Sequence, residues 1–85
     1  MWRREERLIA TFRFKSFLDA VEFVREVAIA AEHIGHHPDI EIRYSQVTLV
    51  TSTHDVGNVV TEKDSLLAEE VARIYQRWKE GGRAL

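Results

Sequence analysis

The sequence contains no cysteine, one proline and four glycines among its 85 residues. Without cysteine, neither disulfide bonds nor thiolate-ligated metal sites can stabilise the fold. The low proline and glycine content, with a hydrophobic fraction of 45%, is typical of a folded domain and not of a disordered segment. A domain of this length buries only about 60 to 65% of the surface that its unfolded chain exposes. We therefore expect one small domain that gains further burial by self-association.

An excess of one charge and long apolar runs are also missing. The 12 basic and 14 acidic residues are mixed along the chain and give a formal net charge of −2, which indicates no surface for nucleic acid or anionic lipid. Arg3 and Arg4 are followed by Glu5 and Glu6 instead of an apolar stretch, so no signal peptide is predicted. No apolar run approaches the roughly 18 residues that a membrane span requires. We expect a cytoplasmic protein that binds neither nucleic acid nor membrane.

The first part of the chain predicts a strand followed by a helix. Residues 8–14 alternate between apolar and polar side chains, which is the period of a half-buried strand. Apolar residues then recur at three- and four-residue spacing over residues 17–34, which predicts an amphipathic helix. Ser16 and Asp19 have the spacing of a helix cap, and Gly35 is typical of the residue that ends a helix.

The second part predicts a hairpin followed by another helix. Residues 40–44 and 47–51 both alternate, with Ser45–Gln46 as the expected turn and Tyr44 expected in the core. A helix starts near Thr61, with Asp64 completing its cap, and ends at the glycine pair at 81–82. The order strand, helix, strand, strand, helix predicts an α+β fold. We expect a two-layer α/β sandwich with both helices packed on one face of an antiparallel sheet.

The candidates for proton chemistry are the four histidines at positions 33, 36, 37 and 54, because histidine titrates near neutral pH. If Tyr44 pairs with Val47 in the hairpin, the same register extended outward places His37 opposite His54. Residues directly opposed in this way have Cβ atoms about 4.5 to 5.5 Å apart on one face of the sheet. We therefore expect two histidines that are distant in sequence to be neighbours.

Further candidate residues border the same corner of the predicted sheet. His36 follows the end of the first helix, Glu32 lies on that helix's last turn, and Asp64 lies on the first turn of the next helix. Either carboxylate is placed to orient an imidazole. The structural alternative is that the paired histidines are incidental surface residues, that Glu32 is a solvated helix residue, and that Asp64 is only a cap.

A zinc site is a second alternative, since His33, His36, His37 and His54 together could supply three nitrogen ligands. The spacing His33-x-x-His36 is that of a ligand pair on a helix, but Gly35 intervenes and is expected to break the helix that would hold it. We therefore expect no metal, and we interpret His33, beside the apolar stripe, as structural.

Several spaced motifs resemble the pterin-4a-carbinolamine dehydratase family. The resemblance extends over nearly the whole chain, from Trp2 onward. Its central element is Glu32-x-x-x-His36-His37-Pro38. The other matching elements are Phe12-x-Phe14-x-x-Phe17, Ala20-x-x-Phe23, Tyr44, Thr53-His54, Thr61-x-x-Asp64 and Leu67-Ala68.

The resemblance implies a lyase that dehydrates 4a-hydroxytetrahydropterin to quinonoid dihydropterin, with no metal or organic cofactor. This step recycles a tetrahydrobiopterin-type cofactor after aromatic amino-acid hydroxylation. The resemblance also implies that His36 and His54 form the acid–base pair and that His37 holds the substrate and polarises the leaving hydroxyl. Glu32 and Asp64 would orient the imidazoles or bind the pterin.

The same resemblance bears on domain organisation and partners. Family members usually begin with a further helix before the tryptophan, for which Met1-Trp2 leaves no room, so we expect a single domain over residues 1–85 without that helix. Assembly as a homodimer or a homotetramer is implied. Some members are dimerisation partners of a transcription factor or assembly factors, so the alternative function is a non-catalytic dimerisation, assembly or coactivator module on the same scaffold.

Overall fold

The computed structural model describes residues 2–4, 6–53, 57 and 59–85. Its elements are, in chain order, β1 (Arg3–Arg4), β2 (Leu8–Arg13), α1 (Phe17–Ile34), β3 (Asp39–Arg43), β4 (Gln46–Thr51) and α2 (Glu62–Glu80). The four strands form one antiparallel sheet with the order β1-β2-β4-β3. The predicted α+β class is therefore confirmed. Neither helix is long and apolar enough to cross a membrane within the described residues.

The hydrophobic core lies between one face of the sheet and the two helices. Alternate residues of the central strands point into it, and each is at most 2% exposed: Ala10, Phe12, Val47 and Leu49. The Phe12 ring lies 5.2 Å from the ring of Phe23 on α1 and 4.8 Å from that of Tyr75 on α2, measured between centroids. Burying one such side chain contributes about 1.5 to 3 kcal/mol. This packing fixes both helices against the sheet and so fixes the ends that carry the polar residues described below.

One short strand was not predicted. β1 pairs Arg3 with Ile9 and Arg4 with Leu8 at the edge of the sheet. A two-residue strand is too short to show alternation, which explains why the pattern missed it. The adjoining Trp2 packs against the core, with its ring 6.1 Å from that of Phe12.

The hairpin forms as predicted, but its register is shifted by two residues. Arg43 pairs with Gln46, so the connection is Tyr44–Ser45 and not Ser45–Gln46. Tyr44 has a φ of 54°, the left-handed conformation that tight hairpin turns require. It is 89% exposed and not in the core as expected. The predicted pairing of Tyr44 with Val47 is wrong.

The register also changes the expected partner of His37. Extended beyond β3 and β4, the observed pairing opposes His37 to Ser52 and not to His54. A two-residue shift leaves every side chain on the same face, so the alternation of apolar residues cannot distinguish the two registers. His54 itself lies outside the described residues, and its predicted place beside the other histidines stays a prediction.

The first helix begins and ends where its caps were predicted. Ser16 accepts a hydrogen bond from the backbone N–H of Asp19 at 3.0 Å. At the other end Gly35 has a φ of 74°, and the N–H groups of Gly35 and His36 both donate to the carbonyl of Ala31, at 2.9 and 3.1 Å. A glycine cap of this kind satisfies the free carbonyls of the last turn. It also fixes the backbone of His36 directly beyond the helix.

We expect Gly35→Ala to lower the free energy of unfolding by roughly 1 to 2 kcal/mol, because an L side chain disfavours the left-handed conformation. A Cβ at this position would meet nothing within 4 Å, so the effect is conformational and not steric. Gly81→Ala is the matched control, since Gly81 ends α2 with a φ of −79°. Urea unfolding of both variants measures the difference, and equal losses would contradict this account.

Candidate functional site

The end of α1 and the start of α2 meet at a contact between His36 and Asp64. Nε2 of His36 lies 2.6 Å from Oδ1 of Asp64, although the residues are 28 positions apart in the chain. The imidazole is 12% exposed and the carboxylate is completely buried. The imidazole therefore has one edge held by a buried acidic group and a small part of its surface open to solvent.

Within the described residues, four groups lie less than 3.0 Å from the Asp64 carboxylate oxygens, and the hydroxyl of Thr61 donates to Oδ2 at 3.4 Å. Oδ1 accepts from the hydroxyl of Thr51 at 2.5 Å as well as contacting His36. Oδ2 accepts from the hydroxyl of Thr53 at 2.7 Å and from the backbone N–H of Thr61 at 2.9 Å. The last bond is the helix cap predicted from the Thr61 and Asp64 spacing. Asp64 thus caps α2 and holds His36 at the same time.

These contacts decide the charge of Asp64. Burial alone would raise the pKa of this carboxyl. The hydrogen bonds from Thr51, from the Thr61 backbone, from Thr53 and from His36 together outweigh burial and lower the pKa from its ordinary value of 3.8 to about 2. Asp64 is therefore ionised at neutral pH and places a buried negative charge beside the imidazole of His36.

The lowered pKa predicts an acid-sensitive contribution to stability. Because the pKa of Asp64 is lower in the folded chain than in the unfolded chain, its contribution is complete above about pH 5 and is lost as the pH falls towards 2. The difference from the ordinary value corresponds to about 2 kcal/mol. Denaturant unfolding of the wild type and Asp64→Asn at pH 6, 4, 3 and 2 measures it. We expect the gap between the two proteins to narrow by about this amount on acidification; a constant gap would contradict the assignment.

His37 makes a different kind of contact. Its Nε2 lies 2.5 Å from Oε2 of Glu32 on the last turn of α1, and the two side chains are 65% and 75% exposed. An exposed pair of this kind contributes little to stability, about 0 to 1 kcal/mol. Its consequence is positional, because the carboxylate holds the His37 ring at the surface near the end of α1, where a ligand can reach it.

His33 lies apart from these two pairs. It lines a groove of about 550 Å³ between α1 and α2 to which neither His36 nor His37 contributes. Within the described ranges, no three metal-ligating side chains converge. The structure therefore brings His36 to Asp64 and His37 to Glu32, and it leaves His33 outside the site.

Two residues of the site were not predicted from the sequence as functional. Thr51 and Thr53 are 1% and 7% exposed, and both donate to Asp64. They continue the buried alternation of Val47 and Leu49 at the end of β4 and beyond it. A hydroxyl at a position whose period predicts burial needs a hydrogen-bond partner. That departure from an apolar pattern was the available signal.

Comparisons with known proteins give a consistent result. Residues 1–74 match the family model described as pterin 4 alpha carbinolamine dehydratase. A protein from Herpetosiphon aurantiacus, named as a candidate pterin-4-alpha-carbinolamine dehydratase, is 51% identical over 65 residues, which cover 76% of this chain and 67% of that protein. A protein of the same name from Thermomicrobium roseum is 45% identical over 74 residues, 86% of this chain and 78% of that protein.

Two solved structures resemble the fold. The crystal structure of a transcriptional coactivator/pterin dehydratase from Brucella melitensis has a TM-score of 0.80 and 33% identity, and the match covers 86% of this chain and 80% of that one. A pterin dehydratase-like protein identified as a RuBisCO assembly factor in the alpha-carboxysome has a TM-score of 0.68 with 21% identity, covering 87% and 86%. The second likeness is one of fold alone.

Proposed function

Because the chain belongs to the pterin 4 alpha carbinolamine dehydratase family, we propose that it is a hydro-lyase that converts a 4a-hydroxytetrahydropterin to the quinonoid dihydropterin. The observation that carries the proposal is the contact between His36 and a buried, ionised carboxylate, Asp64. A histidine whose ring is oriented by such a group is suited to moving a proton near neutral pH.

The reaction explains why titrating groups are needed. The bond between C4a and the hydroxyl oxygen breaks, a C4a–N5 double bond forms, and the N5 proton passes to a base while an acid protonates the leaving oxygen to give water. No oxidation state changes, so the reaction balances without an electron carrier. General acid–base assistance at each of the two proton transfers contributes about 10² to 10⁴-fold.

We assign His36 and His54 as the acid–base pair and His37 as the residue that holds the substrate and polarises its hydroxyl. His36 is supported by its contact with Asp64, and His37 by its exposed ring beside Glu32. Glu32 is placed to orient His37 or to accept hydrogen bonds from the amino-pyrimidine edge of the pterin. His54 lies outside the described residues and is assigned from the resemblance alone.

The physiological setting belongs to the same proposal. We place the protein in the cytoplasm, where it would recycle a tetrahydrobiopterin-type cofactor after aromatic amino-acid hydroxylation. A pterin with a hydroxyl at C4a and a proton at N5 is the substrate that this chemistry requires, and the small exposed part of the His36 ring is the surface at which it would react.

The test is a rate measurement with the purified protein. Synthetic 4a-hydroxytetrahydropterin is mixed with the wild type, and formation of the quinonoid product is followed against the spontaneous dehydration in buffer. The proposal expects an acceleration proportional to protein concentration. A folded protein that leaves the spontaneous rate unchanged would refute the dehydratase.

A non-catalytic binding module on the same scaffold is the second candidate. The observation in its favour is the groove between α1 and α2, where Ile29 and Leu66 are 47% and 51% exposed. Exposed apolar side chains that line one groove are typical of a surface that binds another protein. Absence of dehydration by a folded chain would favour this reading.

We also propose that the chain forms a homo-oligomer, a homodimer or a homotetramer, through the edge strand β3. Its residues Ile40 and Ile42 are 38% and 36% exposed, and one edge of the strand lacks a partner in the described sheet. Antiparallel pairing of two copies about Glu41 would set Asp39 opposite Arg43 of the partner subunit, and opposite charges across strands are favourable.

Sedimentation velocity tests this interface. The wild type should sediment as an oligomer, and Ile42→Lys should dissociate it towards the monomer. Thr11→Lys is the control, because Thr11 is exposed on the other face of the same sheet. A monomeric wild type, or equal effects of both substitutions, would exclude this edge as the interface.

A further inference from the structure

The hydroxyl of Thr51 and the Nε2 atom of His36 converge on one carboxylate oxygen, Asp64 Oδ1, at 2.5 and 2.6 Å. Thr51 is the last residue of β4 and is 1% exposed. The sheet and the two helices therefore meet at this atom. A threonine hydroxyl on a rigid strand fixes where the oxygen sits, and the oxygen in turn fixes the imidazole.

The donors around Asp64 determine which nitrogen of His36 carries a proton. The hydroxyls of Thr51 and Thr53 and the backbone N–H of Thr61 all donate to this carboxylate. An ionised carboxylate only accepts hydrogen bonds. Nε2 of His36 must therefore be the N–H of the pair, and the neutral ring has its lone pair on Nδ1. No group among residues 2–4, 6–53, 57 and 59–85 hydrogen-bonds to Nδ1 of His36.

We propose that Thr51 is a positioning residue, which holds Asp64 so that His36 presents Nδ1, and not Nε2, as the atom that exchanges a proton with the substrate. Its role in the reaction rests on the proposed dehydratase function, whereas the state of the His36 ring does not.

The two carboxylate oxygens of Asp64 differ in which donors remain after a threonine hydroxyl is removed. Oδ2 keeps the backbone N–H of Thr61 if the Thr53 hydroxyl is removed, because that bond belongs to the helix cap. At Oδ1, among the residues that the structure describes, the one donor besides His36 is Thr51. Without the Thr51 hydroxyl, the Asp64 carboxylate can turn or bind water at Oδ1. The imidazole of His36 is then no longer held in one orientation.

The experiment uses ¹⁵N-labelled histidine and NMR of the imidazole nitrogens at a pH at which the ring is neutral, together with kcat and KM for dehydration. The wild type should show His36 protonated at Nε2. Thr51→Val should give a mixture of tautomers and lower kcat by roughly 10 to 100-fold, the scale of a small misplacement of a catalytic group, with KM changed less than about twofold. Thr51→Ser, which keeps the hydroxyl, should show the wild-type tautomer and the wild-type kcat. Thr53→Val should change the tautomer and kcat less than Thr51→Val does.

Several results would overturn the proposal. If His36 of the wild type is protonated at Nδ1, the proposal is overturned by that measurement alone, even if Thr51→Val fails to fold. A folded Thr51→Val with the wild-type tautomer and kcat would also overturn it. So would a larger effect of Thr53→Val than of Thr51→Val on the tautomer and kcat. If the wild type is inactive but Thr51→Val changes the tautomer of His36, the dehydratase function is refuted. The positioning of the His36 imidazole by Thr51 through Asp64 is then supported.

Discussion

Replacing His36 with alanine should lower the dehydration rate constant by about 10² to 10⁴-fold, the contribution of one positioned acid or base. Asp64 orients the imidazole of His36, and alanine offers no atom that can carry the proton. Because the substitution also leaves a buried carboxylate with one partner fewer, His36→Gln is the companion variant, since its amide can donate to that oxygen without titrating. Product formation is measured at saturating substrate after circular dichroism shows that each variant is folded.

His33→Ala is the matched control for this loss. His33 is three residues earlier in the chain and exposed, and it lines the groove between the helices instead of the site. It should retain the wild-type rate within about twofold, because an exposed residue away from the reacting atoms has little effect. His54→Ala should show the same loss as His36→Ala if the two form the proton-transfer pair. A folded His36→Ala with full activity would refute its role.

Asp64→Asn should lower the free energy of unfolding by about 2 to 6 kcal/mol, because two buried donors lose their accepting oxygen at about 1 to 3 kcal/mol each. The amide keeps the shape of the side chain. It replaces one accepting oxygen with an NH₂ group, which is itself a donor and would point at the groups that donate to Asp64. The hydroxyls of Thr51 and Thr53 and the Thr61 N–H then compete for one oxygen. Domains of this kind are stable by only about 5 to 15 kcal/mol in total, so the loss should be plain in urea unfolding at neutral pH.

Asp19→Asn controls for the helix position. Asp19 is the third residue of α1, as Asp64 is of α2, but it is 18% exposed and its partner Arg83, at 2.7 Å, is 47% exposed. We expect a smaller loss than in Asp64→Asn, because the Arg83 end of this ion pair is open to solvent and water can replace it. Equal losses in the two variants would mean that Asp64 contributes only through its place in the first turn of a helix. That outcome would contradict the role of its buried hydrogen bonds.

The helices could be predicted closely because their ends are specified by nearby residues. Ser16 with Asp19, and Gly35, lie at the two ends of α1, and each acts on backbone groups within a few positions. The hairpin register could not be predicted in this way. Apolar alternation repeats every second residue, so Tyr44–Ser45 and Ser45–Gln46 are equally consistent with it. Tyr44 has a positive φ, and nothing about a tyrosine predicts this conformation.

The sequence predicted which residues belong to the candidate site better than it predicted which of them are in contact. The spacing of Thr61 and Asp64 predicted a cap, and His36 and Asp64 were both candidates. Their meeting depends on how the helix ends are placed by the core, which is a long-range property. Thr51 was recognised only as part of an alternating strand, because a pattern of burial does not say which buried hydroxyl has a charged partner.

Asp64 has a consequence for how relatives of this chain can change. In many enzymes a catalytic charge strains the fold, and its removal raises stability at the expense of activity. The Asp64 carboxylate instead closes the first turn of a helix and accepts from two buried hydroxyls, so selection for a stable fold alone would retain it. We therefore expect a relative without dehydratase activity to keep the aspartate. We expect such a relative to diverge first at His36 and His37, whose side chains each have one hydrogen-bond partner among the described residues.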